Sequence, residues 1–476
     1  MNNKSVFKWL FYNPLVLIIL AAFLFRVINL NYNTPFLDEA IYIKLGEKVL
    51  EGHWQEESPF SWIGGMPLFY PSLSALFYNI GGLLGSRLLN VLLGTLSVYL
   101  LYGFTFKLHL SDISDNNEFI AGISAFLLAV MSIPVYLSRL AIYDMLSFTF
   151  FLAGLFFLLS GLAVKKHGLW QKENFYFLSA LSLFLSFLAK YTTLILFPLI
   201  AVWAIYKSLK QDRLSLNLTL KYFIFPLSLA IISYLVIYFP DLREFVINQI
   251  PDPQRHYSEI INEFYVFSLP VLPFALVGFF FLFLKAKGIA FFLLFGALTV
   301  PLAHLLTNNL DAAHQHVFLS LVFLLPSAGF LISNISKKNM AIRAGLSFIF
   351  LIMVFLYSFS QKKDLETSWP NSENAMTGLK SVVSTGDKIL SSEGNVTDLA
   401  LPEIPQEALT GPFEVNYQGL SSYEGFRKAI SDGYFTYILF NNGLTGDFAD
   451  IVRRETVNKY SVIYDNQPFV IYQLNR

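Results

Sequence analysis

Residues 175–206 read FYFLSALSLFLSFLAKYTTLILFPLIAVWAIY, an apolar run with a single charge in it, Lys190. A helix needs roughly 17–25 apolar residues to cross a bilayer, so this run is too long for one ordinary crossing. A charged side chain held at bilayer depth is costly. Lys190-Tyr191-Thr192 therefore reads as a turn between two short spans, 175–189 and 191–206, with the ammonium at the membrane edge. Read instead as one tilted helix, the run would reverse the side of every later loop.

The basic residues decide between the two readings, because Lys and Arg concentrate in cytoplasmic loops. Outward from the Lys190 turn, further apolar runs lie near 9–30, 87–106, 119–137, 144–164, 222–239, 264–284, 288–306, 315–334 and 342–360. With the N-terminus inside, the inner turns carry Lys107, then Lys165 and Lys166, then Lys207, Lys210, Arg213 and Lys221, then Lys285 and Lys287, then Lys337, Lys338 and Arg343. Every inner turn is basic only if the hairpin is accepted. That gives about eleven transmembrane helices with the C-terminus outside. Lys4 and Lys8 precede the first run, and no small-residue cleavage site follows it, the pattern of an uncleaved signal-anchor.

Composition points the same way. With 55% hydrophobic residues, 49 Phe in 476 residues and a mean hydropathy of +0.54, the chain is far more apolar than a soluble domain. Its 33 basic and 33 acidic residues cancel, so no bulk charge invites nucleic acid. Without cysteine there are no disulfides or thiolate metal sites.

On this topology the outer face collects Asp38, Glu39, Arg139, Asp144, Lys190, Arg255, His256, Asp311, His314 and His316. Asp38-Glu39 is an acidic pair just beyond the first span, and carboxylates there need a partner or a task. They fit the first turn of a helix starting near Ala40, where negative charge meets the positive dipole end, and they equally fit proton acceptance. Asp144 fits a cap for the span that follows it. Lys190, buried and cationic, calls for a phosphate or for Asp144; Arg87 and Arg139 fit interfacial anchors as well as anion ligands. The first outer loop, 31–86, is amphipathic, with Trp54, Trp62 and Tyr70 suited to the headgroup level, and reads as short interfacial helices.

Residues 1–361 thus form a transmembrane domain and 362–476, polar and mixed, a small soluble α/β domain. The latter has strand-like runs at Lys388-Ile389-Leu390 and Tyr437-Ile438-Leu439-Phe440, a helical stretch around Tyr423 to Ser431, and a hairpin from Val462 to Tyr472. It has no Gly-rich phosphate loop, zinc spacing or nucleophile elbow.

Several motifs in order resemble one family. Arg26 to Leu30 followed by Pro35-Phe36-Leu37-Asp38-Glu39-Ala40-Ile41-Tyr42, then Met66-Pro67-Leu68-Phe69-Tyr70, Arg87-Leu88-Leu89-Asn90 with Gly94, Ser138-Arg139 to Asp144, and Leu188-Ala189-Lys190-Tyr191 are similar to segments of the GT-C glycosyltransferases. The protein O-mannosyltransferase and lipid A aminoarabinose transferase branches are the most alike. The likeness covers most of residues 20–335. It implies a GT-C fold and an inverting transferase that moves one sugar from a polyprenyl-phosphate donor to a protein, glycan or lipid acceptor outside the cell membrane.

By the same resemblance Asp38 is the general base, with Glu39 and Asp144 beside it. Lys190, Arg87, Arg139, Arg255 and His256 are donor-phosphate ligands, and Tyr42, Tyr70, His314 and His316 contact donor or acceptor. The chemistry agrees, since an attacking hydroxyl must lose a proton and a departing phosphate gains charge. No cofactor or metal is required by the family's base mechanism, although Asp38, Glu39 and the histidines are residue types that do not exclude a divalent metal. The chain departs from the pattern at Gly65-Met66, where some relatives carry Lys, and it lacks the Trp-Trp-Asp motif of oligosaccharyltransferases. A flippase or transporter for lipid-linked sugars would show internal repeats and midplane charges; a non-catalytic scaffold would need no outer carboxylates.

Overall fold

The computed structural model describes residues 14–111, 114–164, 169–248, 256–335, 340–413 and 415–475. Lys4, Lys8, Lys165, Lys166, Lys337, Lys338 and Arg255, on which parts of the sequence argument rest, lie outside them. The chain divides into two compact units, Met1–Leu30 with Gly46–Leu365, and Asn31–Leu45 with Glu366–Arg476.

The first unit is helical. In chain order the helices are α1 (Pro14–Val27), α2 (Leu37–Glu51, which begins in the second unit), α3 (Tyr70–Lys107), α4 (Ser114–Val130), α5 (Ser132–Leu137), α6 (Asp144–Ala163), α7 (Leu169–Ala189), α8 (Phe197–Gln211), α9 (Arg213–Thr219), α10 (Phe225–Ile237), α11 (Phe239–Asn248), α12 (Tyr257–Ser268), α13 (Leu272–Lys285), α14 (Lys287–Thr307), α15 (Ala313–Asn334) and α16 (Met340–Glu366). Every apolar run of the sequence has a helix in this series. Among the described residues seven helical stretches are long and apolar enough to cross a membrane, or eight if the bent pair α12 and α13 counts as one. The protein is therefore a multi-pass membrane protein, and the larger number read from sequence includes shorter helices such as α1 and α4.

The breaks have local causes. Helix α3 bends at Gly81-Gly82, separating the tail of the 31–86 loop from the span that starts near Arg87. The run 175–206 breaks at Lys190, which is extended (φ −153°, ψ 118°) and followed by a 3-10 turn, Tyr191–Leu196. Pro198 then opens α8, where its missing N–H costs nothing. Between α12 and α13 the axis turns by 83°.

Burial sorts the spans. The apolar window of α15 is 100% buried, against 17% for Arg213–Ile237 and 22% for Ala344–Glu366. Helix α15 is thus the core of the bundle, while Phe225, Ile232 and Val236 on α10, and Phe348, Ile349 and Phe359 on α16, are exposed where lipid tails can cover them.

The second unit is built on a five-stranded sheet of order β2-β1-β5-β7-β6. Strand β1 (Ile389–Ser391) pairs in parallel with β2 (Leu409–Thr410) and β5 (Tyr437–Asn441), while β7 (Phe469–Leu474) runs antiparallel to both β5 and β6 (Tyr460–Asn466). A two-stranded ribbon, β3 (Asn416–Tyr417) with β4 (Leu420–Ser421), lies apart from it. Alternation along β5 sends Tyr437 and Leu439 into one apolar layer with Ile389 and Ile471, and Ile438 and Phe440 into the other. Helices α17 (Glu373–Lys380) and α18 (Gly394–Ala400) cover the first layer, α19 (Ser422–Asp432) and α20 (Asp447–Glu455) the second.

The first layer also takes in Ala40, fully buried on α2. The segment before Ala40 is fastened to this unit by name: Asn33 Nδ2 donates to the Trp369 carbonyl at 3.0 Å, and Trp369 Nε1 donates to the Thr34 carbonyl at 3.2 Å. The Trp369 ring meets Tyr32 and Phe36 edge-on, and Lys44 pairs with Asp398 of α18 at 3.3 Å.

Candidate active site

In the first unit three arginines set the frame. Helix C-termini leave carbonyls without intrahelical partners, and cations are favourable there. Arg139, only 1% exposed, donates from Nη1 to the carbonyls of Arg26 and Ile28 at 2.8 Å each and from Nη2 to that of Asn29 at 2.7 Å, so it caps the end of α1. Arg26 does the reverse, donating to the Leu128 and Ala129 carbonyls at the end of α4 and from Nε to Ser138 Oγ. Arg87, fully buried, donates to the Leu30 carbonyl at 3.0 Å.

The other motif residues hold the same strand of chain. Asn90 Nδ2 donates to the carbonyls of Leu140 and Ile142, and to the Tyr70 hydroxyl at 3.1 Å. Gly94 lies so close to Ser138 and Arg26 that a Cβ would collide with both. Much of what resembles the GT-C motifs, from Arg26 through Arg139, is thus a clamp on residues 138–143, whose product is the placement of Asp144 at the start of α6.

Asp144 is 1% exposed and Lys190 3%, and they meet, Nζ to Oδ1, at 2.5 Å. The Lys190 ammonium also lies 5.0 Å from the centre of the Tyr143 ring. Asp144 at the first residue of α6 gains from the helix dipole, and the ion pair neutralises two buried charges. The turn that carries Lys190 is itself held by the segment before α3: the Tyr191 N–H donates to the Gly64 carbonyl at 2.8 Å and the Met66 N–H to the Leu188 carbonyl at 2.7 Å. Between them Gly65 abuts the Ala189 carbonyl, where a Cβ would collide. The absence of a Lys side chain in this loop has a backbone reason: the loop is used as a strap over the turn.

Two residues past Lys190, Thr192 Oγ1 reaches His316 Nε2 at 3.5 Å, His316 Nδ1 faces His304 Nε2 at 2.8 Å, and His304 Nδ1 faces the Asn309 carbonyl at 2.6 Å. Both rings are 7% exposed. Tyr191 meets the Tyr234 hydroxyl at 2.6 Å beside it. His314 is half-buried near the Phe267 ring, and His256 stands immediately before α12, its backbone N–H donating to Asn308 Oδ1 at 3.0 Å. Sequence reasoning included His316 and missed His304, Thr192 and Tyr143. The available signal was two imidazoles flanking one short turn, 308–312, in otherwise apolar sequence.

In the second unit Asp38 and Glu39 occupy the first turn of α2 and part company there. Glu39 is fully buried, and its Oε2 accepts the N–H of Phe36 at 2.8 Å, the carboxylate half of a capping box. Asp38 is half-buried, and Tyr42, one helical turn on and on the same face, is 6% exposed. Among the described residues no three His, Cys, Asp or Glu side chains gather as a metal site.

No protein-family model and no curated protein matches the sequence. The structure does match: the chain has the fold of the GT-C membrane glycosyltransferases. It is similar to ArnT, the lipid A aminoarabinose transferase, from Cupriavidus metallidurans bound to undecaprenyl phosphate, with a TM-score of 0.63 at 11% identity over 96% of this chain and 97% of that one. It is similar also to the Archaeoglobus fulgidus oligosaccharyltransferase (0.62, 13% identity, 97% of this chain and 74% of that one) and to the mycobacterial arabinofuranosyltransferase AftD (0.52, 13%, 98% and 40%).

Proposed function

We propose that the protein transfers a single sugar from a polyprenyl-phosphate carrier to a hydroxyl outside the cytoplasmic membrane. The observation that carries the reading is the buried Lys190–Asp144 pair at a helix break of a GT-C fold. Neighbours of that fold are described as bound to undecaprenyl phosphate and to dolichol phosphate. An ammonium already desolvated and held by a carboxylate can pass part of its charge to a lipid phosphate at little further cost.

The chemistry assigned is inverting. The acceptor oxygen attacks the anomeric carbon, its proton goes to the Asp38 carboxylate, and the bond from that carbon to the phosphate oxygen breaks with its electron pair on the phosphate. The monoester leaves with more negative charge than the diester had, and Lys190 stabilises it. Asp38 is assigned rather than Glu39 because Glu39 is fully buried and bound to the Phe36 N–H. No metal is assigned.

Transfer of radiolabelled sugar from a panel of polyprenyl-phosphate donors by the purified protein tests the reaction, with Asp38→Asn as its control. Loss of a general base slows turnover by about 100- to 10,000-fold, while donor binding is retained. Near-normal transfer by Asp38→Asn removes that residue from the role, and movement of the lipid across vesicles without transfer favours a flippase. Sidedness is tested separately, since the native chain has no cysteine: cysteines placed at Thr192 and Asn395 react with an impermeant thiol reagent in intact cells. Labelling only after lysis overturns the outward assignment.

A further inference from the structure

We infer that His316 reads a hydroxyl of the sugar carried on the lipid phosphate, and that His304 is the positioning residue that keeps His316 Nε2 a hydrogen-bond acceptor. The inference rests on the reading above for its ligand and on a chain of hydrogen bonds for its direction. A carbonyl oxygen only accepts, so His304 Nδ1, 2.6 Å from the Asn309 carbonyl, carries the hydrogen. In a neutral ring the other nitrogen is then bare, and His304 Nε2 accepts. His316 Nδ1, 2.8 Å away, must donate to it. That leaves His316 Nε2 bare in turn, facing, among the described residues, the Thr192 hydroxyl at 3.5 Å, the long limit of a hydrogen bond.

Direction decides what this nitrogen can bind. Phosphate oxygens at neutral pH accept and do not donate, so a bare imidazole nitrogen repels them, whereas a sugar hydroxyl donates. The Asn309 carbonyl, two rings away, thereby selects the ligand class at His316. Thr192 stands two residues from the ammonium assigned to the phosphate, where the first atoms beyond the phosphate are those of the sugar. When a ligand hydroxyl takes His316 Nε2, the Thr192 proton is released and can serve a second sugar oxygen.

The arrangement also separates the two histidines by variant. His304→Gln offers a side-chain carbonyl to His316 Nδ1 and preserves the direction; His304→Leu removes the acceptor and frees the His316 tautomer. His316→Gln retains an acceptor oxygen near the Nε2 position, and His316→Leu does not.

Two measurements test this on the full-length protein in detergent. Nitrogen-15 spectra of histidine-labelled protein should give His316 one protonated and one bare ring nitrogen, assigned by loss of the signals in His316→Gln; two protonated nitrogens mean an imidazolium, which would bind phosphate and overturns the inference. Binding is then compared for undecaprenyl phosphate and for undecaprenyl phosphate bearing mannose, glucose or 4-amino-4-deoxyarabinose. His316→Leu and His304→Leu should lose about tenfold affinity for the tightest sugar-bearing lipid, the worth of one good hydrogen bond, with bare undecaprenyl phosphate unchanged and the two Gln variants close to wild type. Equal loss for both lipids, or a wild-type protein that binds no sugar-bearing lipid more tightly than the bare one, overturns it. Failure of Lys190→Ala to weaken bare undecaprenyl phosphate would instead overturn the phosphate assignment and leave the tautomer result standing.

Discussion

Arg139 and Lys190 are almost equally buried, at 1% and 3% exposure, and both lie beside a break between helices, yet they are spent differently. The guanidinium spreads its fork over the carbonyls of Arg26, Ile28 and Asn29. The ammonium meets one carboxylate, Asp144, and one aromatic face. A planar fork suits several fixed carbonyls at once, whereas a point charge can exchange one anion for another. The comparison teaches that the two cations are fixed by different means: the carbonyls of a helix end hold the Arg139 guanidinium in place, while the Asp144 carboxylate holds Lys190 through a charge that a second anion can share.

The sharpest way to break that distinction is Arg139→Ala. Several carbonyls at the end of α1 lose their donor, at about 1–3 kcal/mol for each buried group left unsatisfied, so unfolding in detergent should show a loss on the order of 3–5 kcal/mol. Arg139→Lys should recover little of it. A variant that kept its stability and lost undecaprenyl-phosphate binding would move Arg139 to the ligand side.

Lys190→Ala comes next. Breaking one partner of a buried ion pair costs about 3 kcal/mol or more, because the other charge stays buried, and Asp144→Ala should cost a similar amount. The double variant should regain much of the stability of either single one. Undecaprenyl-phosphate affinity separates the roles: it falls in Lys190→Ala and stays low in the double variant if the ammonium holds the phosphate. Recovery in the double variant would mean that Lys190 serves only Asp144.

Gly65→Ala is a smaller perturbation of the same turn. Its Cβ meets the Ala189 carbonyl, so the strap between Gly64 and Met66 must shift; strain of this kind costs roughly 1–3 kcal/mol. The expected readout is weaker undecaprenyl-phosphate binding with the protein still folded, and unchanged binding would detach the strap from the lysine. The smallest effect belongs to Lys44→Ala. Its pair with Asp398 is 3.3 Å long with side chains 20% and 9% exposed, between a surface pair and a buried one and worth on the order of 1 kcal/mol, which thermal unfolding of the full chain can register.

The spans were legible because an apolar run long enough to cross a membrane has few alternatives, and the break at Lys190 was legible because an ammonium inside such a run has almost none. The strands at Tyr437 to Phe440 and the hairpin from Val462 to Tyr472 showed as short aromatic and β-branched runs, the latter pair split by Asp465-Asn466-Gln467-Pro468, and lie in β5, β6 and β7. The parallel pairing of β1 with β2 and β5 was not readable, since it depends on partners 20 to 50 residues apart. Nor was the 83° bend between α12 and α13, where Pro270 falls in a stretch apolar enough to pass as one span. Within the site, the charge of Lys190 demanded an anion and Asp144 was one of the two named. His304 was invisible for the opposite reason: a neutral imidazole in a helix makes no demand a sequence displays, and its role depends on a carbonyl five residues on and a ring twelve residues on.

The fastening of residues 33–44 to the second unit has a temporal consequence. Thr34 waits for Trp369, and Lys44 for Asp398, so more than three hundred residues are synthesised between the two halves of each contact. A nascent chain interrupted after α16 would already hold all its spans, with Asp38 on a helix whose Ala40 has no core to enter. The proton acceptor proposed for the reaction acquires its fixed setting late, when β7 closes the sheet under that alanine, and until then the ribosome's order of work leaves the proposed site incomplete.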